Sequence, residues 1–133
     1  MMLLNEKSKV VTQEDDWAPA RSMLRTVELS DEDINKPFIG IANLASDVTP
    51  CNVHLDRIVQ KAKIGVRDAG MVPMMFGTIT ISDGISMGTE GMKASLVTRE
   101  IIADSIEAVV FGESLDGLLA RSEEHTSELQ SRA

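Results

Sequence analysis

The chain has 133 residues, 43% of them hydrophobic and 26% charged, with a formal net charge of −8. That length supports one domain with a core of its own, and an acidic balance without any basic run excludes nucleic acid as the expected partner. No apolar stretch approaches the roughly 18 residues of a membrane-spanning helix, and the opening "MMLLNEKSKVVTQEDDW" lacks the apolar run of a secretory signal.

Aromatic residues are only 3% of the chain, so Ile, Val, Leu, Met and Ala must build the core, and the eight methionines read as packing residues. Cys51 is the single cysteine. It forms no internal disulfide, which points to a reducing compartment, expected to be the cytoplasm.

Residues 1–16 end in the acidic "QEDD" and are expected to fray. Residues 17–120 carry the periodic pattern. "APARSMLRTV" spaces Met23, Leu24 and Val27 as a short helix, and "SDEDINK" resembles a capped turn. "PFIGIAN" is a continuous apolar run with β-branched residues, which predicts a buried strand over 37–43. Thr49 is placed to cap a helix with Pro50 in its first turn. That helix is predicted to reach Ala69, with Leu55, Ile58, Val59, Ala62, Val66 and Ala69 on one face and Gly70 stopping it. "MMFGTITIS" predicts a second strand, and "DGISMGTEGM" a glycine-rich loop. "KASLVTREIIADSIEAVVF" predicts a second long helix with Ile102, Ile106, Val109 and Val110 inward. "DGLLA" starts a third strand.

The order is β-α-β-α-β, which predicts an α/β fold with a parallel sheet and right-handed crossovers. Sites in such sheets gather at the carboxyl ends of the strands. Cys51 follows the end of the first predicted strand and Asp83 the end of the second. Both are expected on one edge of the sheet.

The last 13 residues, "RSEEHTSELQSRA", break the pattern, with Leu129 their only large apolar side chain. "RSEEHTSELQS" reads as the in-frame translation of a common sequencing adapter. Residues 121–133, His125 included, are therefore expected to be an artefactual tail, with the natural sequence cut near Ala120.

Four stretches carry a resemblance. "KPFIGIAN", "TPCNVHL", "SDGISMGTEGM" and "SLVTREIIADSIEAVV" resemble the amino-terminal part of the iron–sulfur dehydratases, the family of the dihydroxy-acid, 6-phosphogluconate and sugar-acid dehydratases. The resemblance covers about residues 19–120, and "SDGISMG" points to the branched-chain amino-acid members rather than the sugar-acid ones. It implies a truncated amino-terminal dehydratase domain of three layers over residues 17–120. The family's next motif, a Gly-Cys-Asp-Lys run, is absent from this sequence. So are a later cluster cysteine, further magnesium ligands and the serine proposed as the base. No catalytic residue is expected in this fragment, which should be inactive alone.

The resemblance implies that the whole enzyme, commonly a homodimer, removes water from a small 2,3-dihydroxy acid. The product is a 2-keto acid, in valine, isoleucine and pantothenate synthesis. Hydroxide is a poor leaving group, so a Lewis acid must assist it, and a cluster held by three cysteines leaves one iron open for that task. Cys51 matches the first cluster cysteine. Its presence favours a [2Fe–2S] cluster over [4Fe–4S]. Mg²⁺ on the substrate's carboxylate and hydroxyl would acidify C2, and Asp83 matches one of its ligands.

Taken without the resemblance, these residues have plainer readings. A lone cysteine is commonly a small buried hydrophobe, and Asp83-Gly84 is a standard turn signal. His54, one turn beyond Cys51, is as well explained by a structural role as by a hydrogen bond to the site. "GTEGM" at a helix start could cradle a phosphate through backbone N–H groups, although it is neither a Walker A sequence nor G-x-G-x-x-G. A small α/β anion-binding module without catalysis is thus the competing expectation, and a sugar-acid dehydratase fragment a third.

Overall fold

A computed structural model describes residues 5–121. Its centre is a three-stranded parallel sheet in the order β2-β1-β3. The strands are β1 (Phe38–Asn43), β2 (Val72–Gly77) and β3 (Gly117–Arg121). In register, Phe38 faces Val72 and Asn43 faces Gly77 across one side, while Ile39 faces Gly117 and Asn43 faces Arg121 across the other. The helices are α1 (Lys9–Gln13), α2 (Ala18–Arg25), α3 (Leu55–Asp68), α4 (Asp83–Ser86) and α5 (Met92–Gly112). The β-α-β-α-β order read from the sequence is the order observed.

Side-chain alternation along the sheet separates two apolar clusters. Phe38 and Val72 pack with Leu29 and Leu115, against Leu24 of α2 and Val109 and Val110 of α5. Ile41 packs on the opposite face with Val59 and Val66 of α3, joined by Ile39 and Ala62. Helices on both faces of a parallel sheet give three layers. Gly40 in the middle of β1 admits this packing: a Cβ there would lie 2.7 Å from Leu115 Cδ1 and 3.2 Å from Phe76 Cε1.

Helix α3 starts later than its cap signal suggests. Pro50–Asn52 is a separate 3-10 turn, and the α-helix begins at Leu55. Thr49 does not cap it, because its hydroxyl is buried without a hydrogen-bond partner. Leu55, Val59 and Val66 are buried as expected, whereas Ala69 is exposed just past the helix end. Gly70, at φ +76°, stops the helix, and the Met71 N–H reaches back to the Val66 carbonyl at 3.1 Å, the closing bond of a glycine-terminated helix.

Strand β2 is displaced from its expected position. It begins at Val72 and ends at Gly77, so "TITIS" lies outside the sheet. The limit is set by β1, whose last residue, Asn43, pairs with Gly77. Beyond that point an alternating pattern has no strand to pair with, and Ile79 and Ile81 are exposed. Met23 in α2 and Val27 just beyond it are likewise exposed despite their helical spacing.

The amino-terminal segment departs most from expectation. From residue 5 onward it is docked rather than frayed, with Asn5, Ser8 and Thr12 buried. One oxygen of the Asp116 carboxylate accepts the Lys7 and Ser8 N–H groups at 2.8 and 3.1 Å, and the other accepts the Phe38 N–H at 2.9 Å. The anchor is a side chain more than a hundred residues away and the buried face is polar, so hydropathy gives no sign of it. The "SDEDINK" turn forms as read. Ser30 and Asp33 exchange hydrogen bonds, with the Ser30 hydroxyl donating to Asp33 Oδ2 at 2.7 Å and accepting the Asp33 N–H at 3.1 Å, a reciprocal cap. Arg121, the first residue of the expected tail, continues β3 through its backbone, since strand pairing needs only N–H and C=O groups. The rest of that tail lies outside the described residues.

Candidate site at the carboxyl edge of the sheet

Asn43, Gly77 and Arg121 end the three strands on one edge. Asn43 organises that edge. It is buried, its Nδ2 donates to Asp56 Oδ1 at 2.8 Å, and its Oδ1 accepts the Ala45 N–H at 3.0 Å. Because Asp56 lies in the first turn of α3, this pair fixes the helix start against the strand end.

The 3-10 turn after β1 places Cys51 on this edge, exposed and free. Its neighbour Asn52 is buried and donates to the Leu44 carbonyl at 3.0 Å and to Thr80 Oγ1 at 3.2 Å. Thr80 belongs to the segment between β2 and Asp83. Asp83 opens α4 and is exposed, and the Ser95 hydroxyl of α5 donates to its Oδ1. The two residues singled out by sequence therefore occupy loops that leave adjacent parallel strands at the same edge and are tied together by Asn52. His54 sits half-buried just ahead of α3. It lines a shallow cleft of about 270 Å³ with Arg57, Ile58 and Lys61.

The donors suit two different metal groups in kind. An exposed thiol is a soft ligand for iron, and an exposed carboxylate is a hard ligand for Mg²⁺. In number they do not complete either set: among the described residues no three His, Cys, Asp or Glu side chains converge on a metal position. Two buried oxygens flank Cys51 without a hydrogen-bond partner, Thr49 Oγ1 and Asn52 Oδ1.

The glycine-rich loop is poorly suited to cradle a phosphate. The donors at the helix start are already used: the Met92, Lys93 and Ala94 N–H groups bond to the carbonyls of Thr89, Glu90 and Gly91 at 3.0 to 3.2 Å, and the Gly91 N–H bonds to Thr89 Oγ1 at 3.1 Å. Lys93 is paired with Glu90. An arriving anion would have to break these bonds first.

The family described as dihydroxy-acid/6-phosphogluconate dehydratase, N-terminal, matches residues 36–123, a span that contains β1, Cys51, Asp83 and β3. The chain belongs to this dehydratase family. Similar relatives are named dihydroxy-acid dehydratase. One from Synechococcus sp. (strain JA-3-3Ab) is 60% identical over 114 residues, covering 86% of this chain and 20% of the relative. One from Acaryochloris marina is 57% identical over 116 residues, 87% of this chain and 21% of the relative. One from Natronomonas pharaonis is 56% identical over 113 residues, 85% and 19% respectively. The chain spans about a fifth of the length of these curated relatives. No helix among the described residues is long and apolar enough to cross a membrane.

Asn43, Asn52, Thr80 and Ser95 escaped the sequence reading. Asn43 and Asn52 had a signal of a sort, since each is a polar residue inside an otherwise apolar or capping stretch. Ser95 and Thr80 had none, because their partners lie 12 and 28 positions away.

Proposed function

We propose that this chain is the amino-terminal part of a cytoplasmic, homodimeric dihydroxy-acid dehydratase. The complete enzyme would convert 2,3-dihydroxy carboxylic acids to 2-keto acids in branched-chain amino-acid and pantothenate synthesis. The observation that carries this reading is the 54 to 60% identity to dihydroxy-acid dehydratases across the segment that bears Cys51 and Asp83. The hydrogen bonds already made by the N–H groups of Gly91, Met92, Lys93 and Ala94 at this helix start weigh against the anion-binding alternative.

Cys51 would hold an iron of an iron–sulfur cluster, of the [2Fe–2S] type, and Asp83 would hold Mg²⁺. When bound, these groups supply Lewis acidity, assisting departure of the 3-hydroxyl and acidifying the C2 proton. The net change loses the C2 proton and the C3 hydroxyl as water, and the resulting enol rearranges to the keto acid. The chain's own contribution is placement. The 3-10 turn holds the Cys51 thiol out from the sheet edge, and the hydroxyl of Ser95 fixes one oxygen of Asp83. Asn43 and Asn52 keep the two loops in register with the strand ends. One thiol and one carboxylate do not make a complete site, so the 133-residue chain alone is expected to give no turnover.

The test is a chimera in which the matching segment of the Synechococcus relative is replaced by the corresponding residues of this chain. Dehydration of 2,3-dihydroxyisovalerate by the anaerobically purified chimera, at a rate within about tenfold of the parent, supports the reading, since that corresponds to a barrier change of only about 1.4 kcal/mol. A folded chimera that turns over no dihydroxy acid would overturn it.

A further inference from the structure

Asn52 is 1% exposed, although it adjoins an exposed cysteine and carries an amide. Its two side-chain bonds run to different loops. One meets the carbonyl of Leu44, where the chain leaves β1. The other meets the hydroxyl of Thr80, where the chain approaches Asp83. Its own N–H closes the turn on the Thr49 carbonyl at 2.8 Å. Three segments of the sheet edge therefore meet at one residue, adjacent in sequence to the thiol.

Asn52 Oδ1 and Thr49 Oγ1 are both buried without a hydrogen-bond partner, and a buried polar atom left unpaired costs about 1–3 kcal/mol. An apolar side chain of similar volume would remove the unpaired Asn52 Oδ1 but would leave the Leu44 carbonyl without its donor. It would also lose the fixed link between the turn of Cys51 and the loop of Asp83.

We propose that Asn52 is a positioning residue of the dehydratase site: through Thr80 it sets the Cys51 turn relative to the Asp83 loop. The inference rests on the functional reading above, but its structural half can be tested without it. The bond from Asn52 to Thr80 is the one that crosses between the loops, and Thr80 is only half-buried. Thr80→Val removes the acceptor with almost no change of shape. Thr80→Ser keeps it.

The first measurement is the rate at which a disulfide reagent labels Cys51 in the 133-residue chain, with folding checked by circular dichroism. Thr80→Val should change that rate at least about threefold as the turn is released, while Thr80→Ser restores it, because loop opening governs access to local groups. The second uses the chimera. There Thr80→Val should lower kcat about tenfold with KM within about twofold, since misplacing a reacting group by a fraction of an ångström costs rate rather than affinity. Thr80→Ser should recover it. Unchanged labelling and unchanged kcat in a folded Thr80→Val protein would overturn the proposal. If Thr80→Val fails to fold, exchange of the Asn52 side-chain amide protons in the unaltered chain decides: protection supports the fastening, and free exchange with solvent overturns it. A chimera inactive whatever stands at position 80, together with altered labelling, would discard the dehydratase reading and leave the fastening of the two loops in place.

Discussion

Asp116→Ala should undock the amino-terminal segment and destabilise the whole chain. The carboxylate accepts three backbone N–H groups, those of Lys7, Ser8 and Phe38. The Asp116 N–H also donates to the Phe38 carbonyl at 2.8 Å, locking β1 to the start of β3. Lys7 is exposed and its N–H can turn to water, but Ser8 and Phe38 are 0% and 1% exposed. Two buried donors lose their partner. At about 1–3 kcal/mol for each unpaired buried group, the loss is about 4 kcal/mol, the middle of a range of about 2–6 kcal/mol. That is a large fraction of the roughly 5–15 kcal/mol that holds a domain together. With a urea slope of about 1.5–2 kcal/mol per molar, the midpoint should fall by about 2 M. Far-UV circular dichroism reports the global transition, and fluorescence of Trp17, the single tryptophan, reports the segment. Asp116→Asn retains one accepting oxygen and should lose roughly half as much. A midpoint shift for Asp116→Ala below about 0.3 M, the range of an ordinary surface substitution, would refute the anchoring role.

Gly40→Ala should cost about 1–3 kcal/mol, measured by the same urea titration, because the new methyl meets the Leu115 and Phe76 side chains in a filled cluster. Acid sensitivity should depend on Ser30. Its side-chain hydrogen bond, followed by that of Lys36, holds the Asp33 carboxyl down to about 2 from 3.8. The unfolded chain therefore binds more protons at this site between those values, so the contribution of Asp33 is complete above pH 3.8 and is lost as pH falls through about 2. Ser30→Ala should flatten the stability–pH curve in that window, and an unchanged curve would count against the cap. Cys51 should react fully with Ellman's reagent in the folded chain, because it is free and exposed. A thiol titrated only after adding denaturant would contradict its placement on the sheet edge.

The parallel sheet and its order of elements were legible because strand and helix periodicities differ and each long segment keeps to one of them. "FIGIAN" could be placed within a residue because nothing in it is polar until the end. "TITIS" misled because alternation measures the suitability of a segment for pairing, while the length of β1 decides whether a partner exists. Thr49 misled for a related reason. Its cap signal is local, yet the 3-10 turn at Pro50–Asn52 is fixed by Asn52, whose partners are Leu44 and Thr80. The docked amino terminus was invisible in the sequence, since a carboxylate holding backbone N–H groups leaves no trace in side-chain patterning. At the candidate site, Cys51 and Asp83 were singled out from their positions after strand ends and from the family resemblance. The polar residues that hold those loops were not, because long-range side-chain hydrogen bonds have no spacing rule.

The most direct test of the central claim, that this edge of the sheet presents a cluster ligand, is the iron and sulfide content of the purified chimera with and without Cys51→Ser. The cysteine-bearing protein should contain iron and sulfide, absorb in the visible and dehydrate 2,3-dihydroxyisovalerate. Its Cys51→Ser counterpart, folded equally well, should lose turnover and most of the cluster absorbance, since loss of a thiolate ligand destabilises an iron–sulfur centre. Equal iron, equal absorbance and equal turnover in the serine variant would contradict the assignment of Cys51 as a ligand.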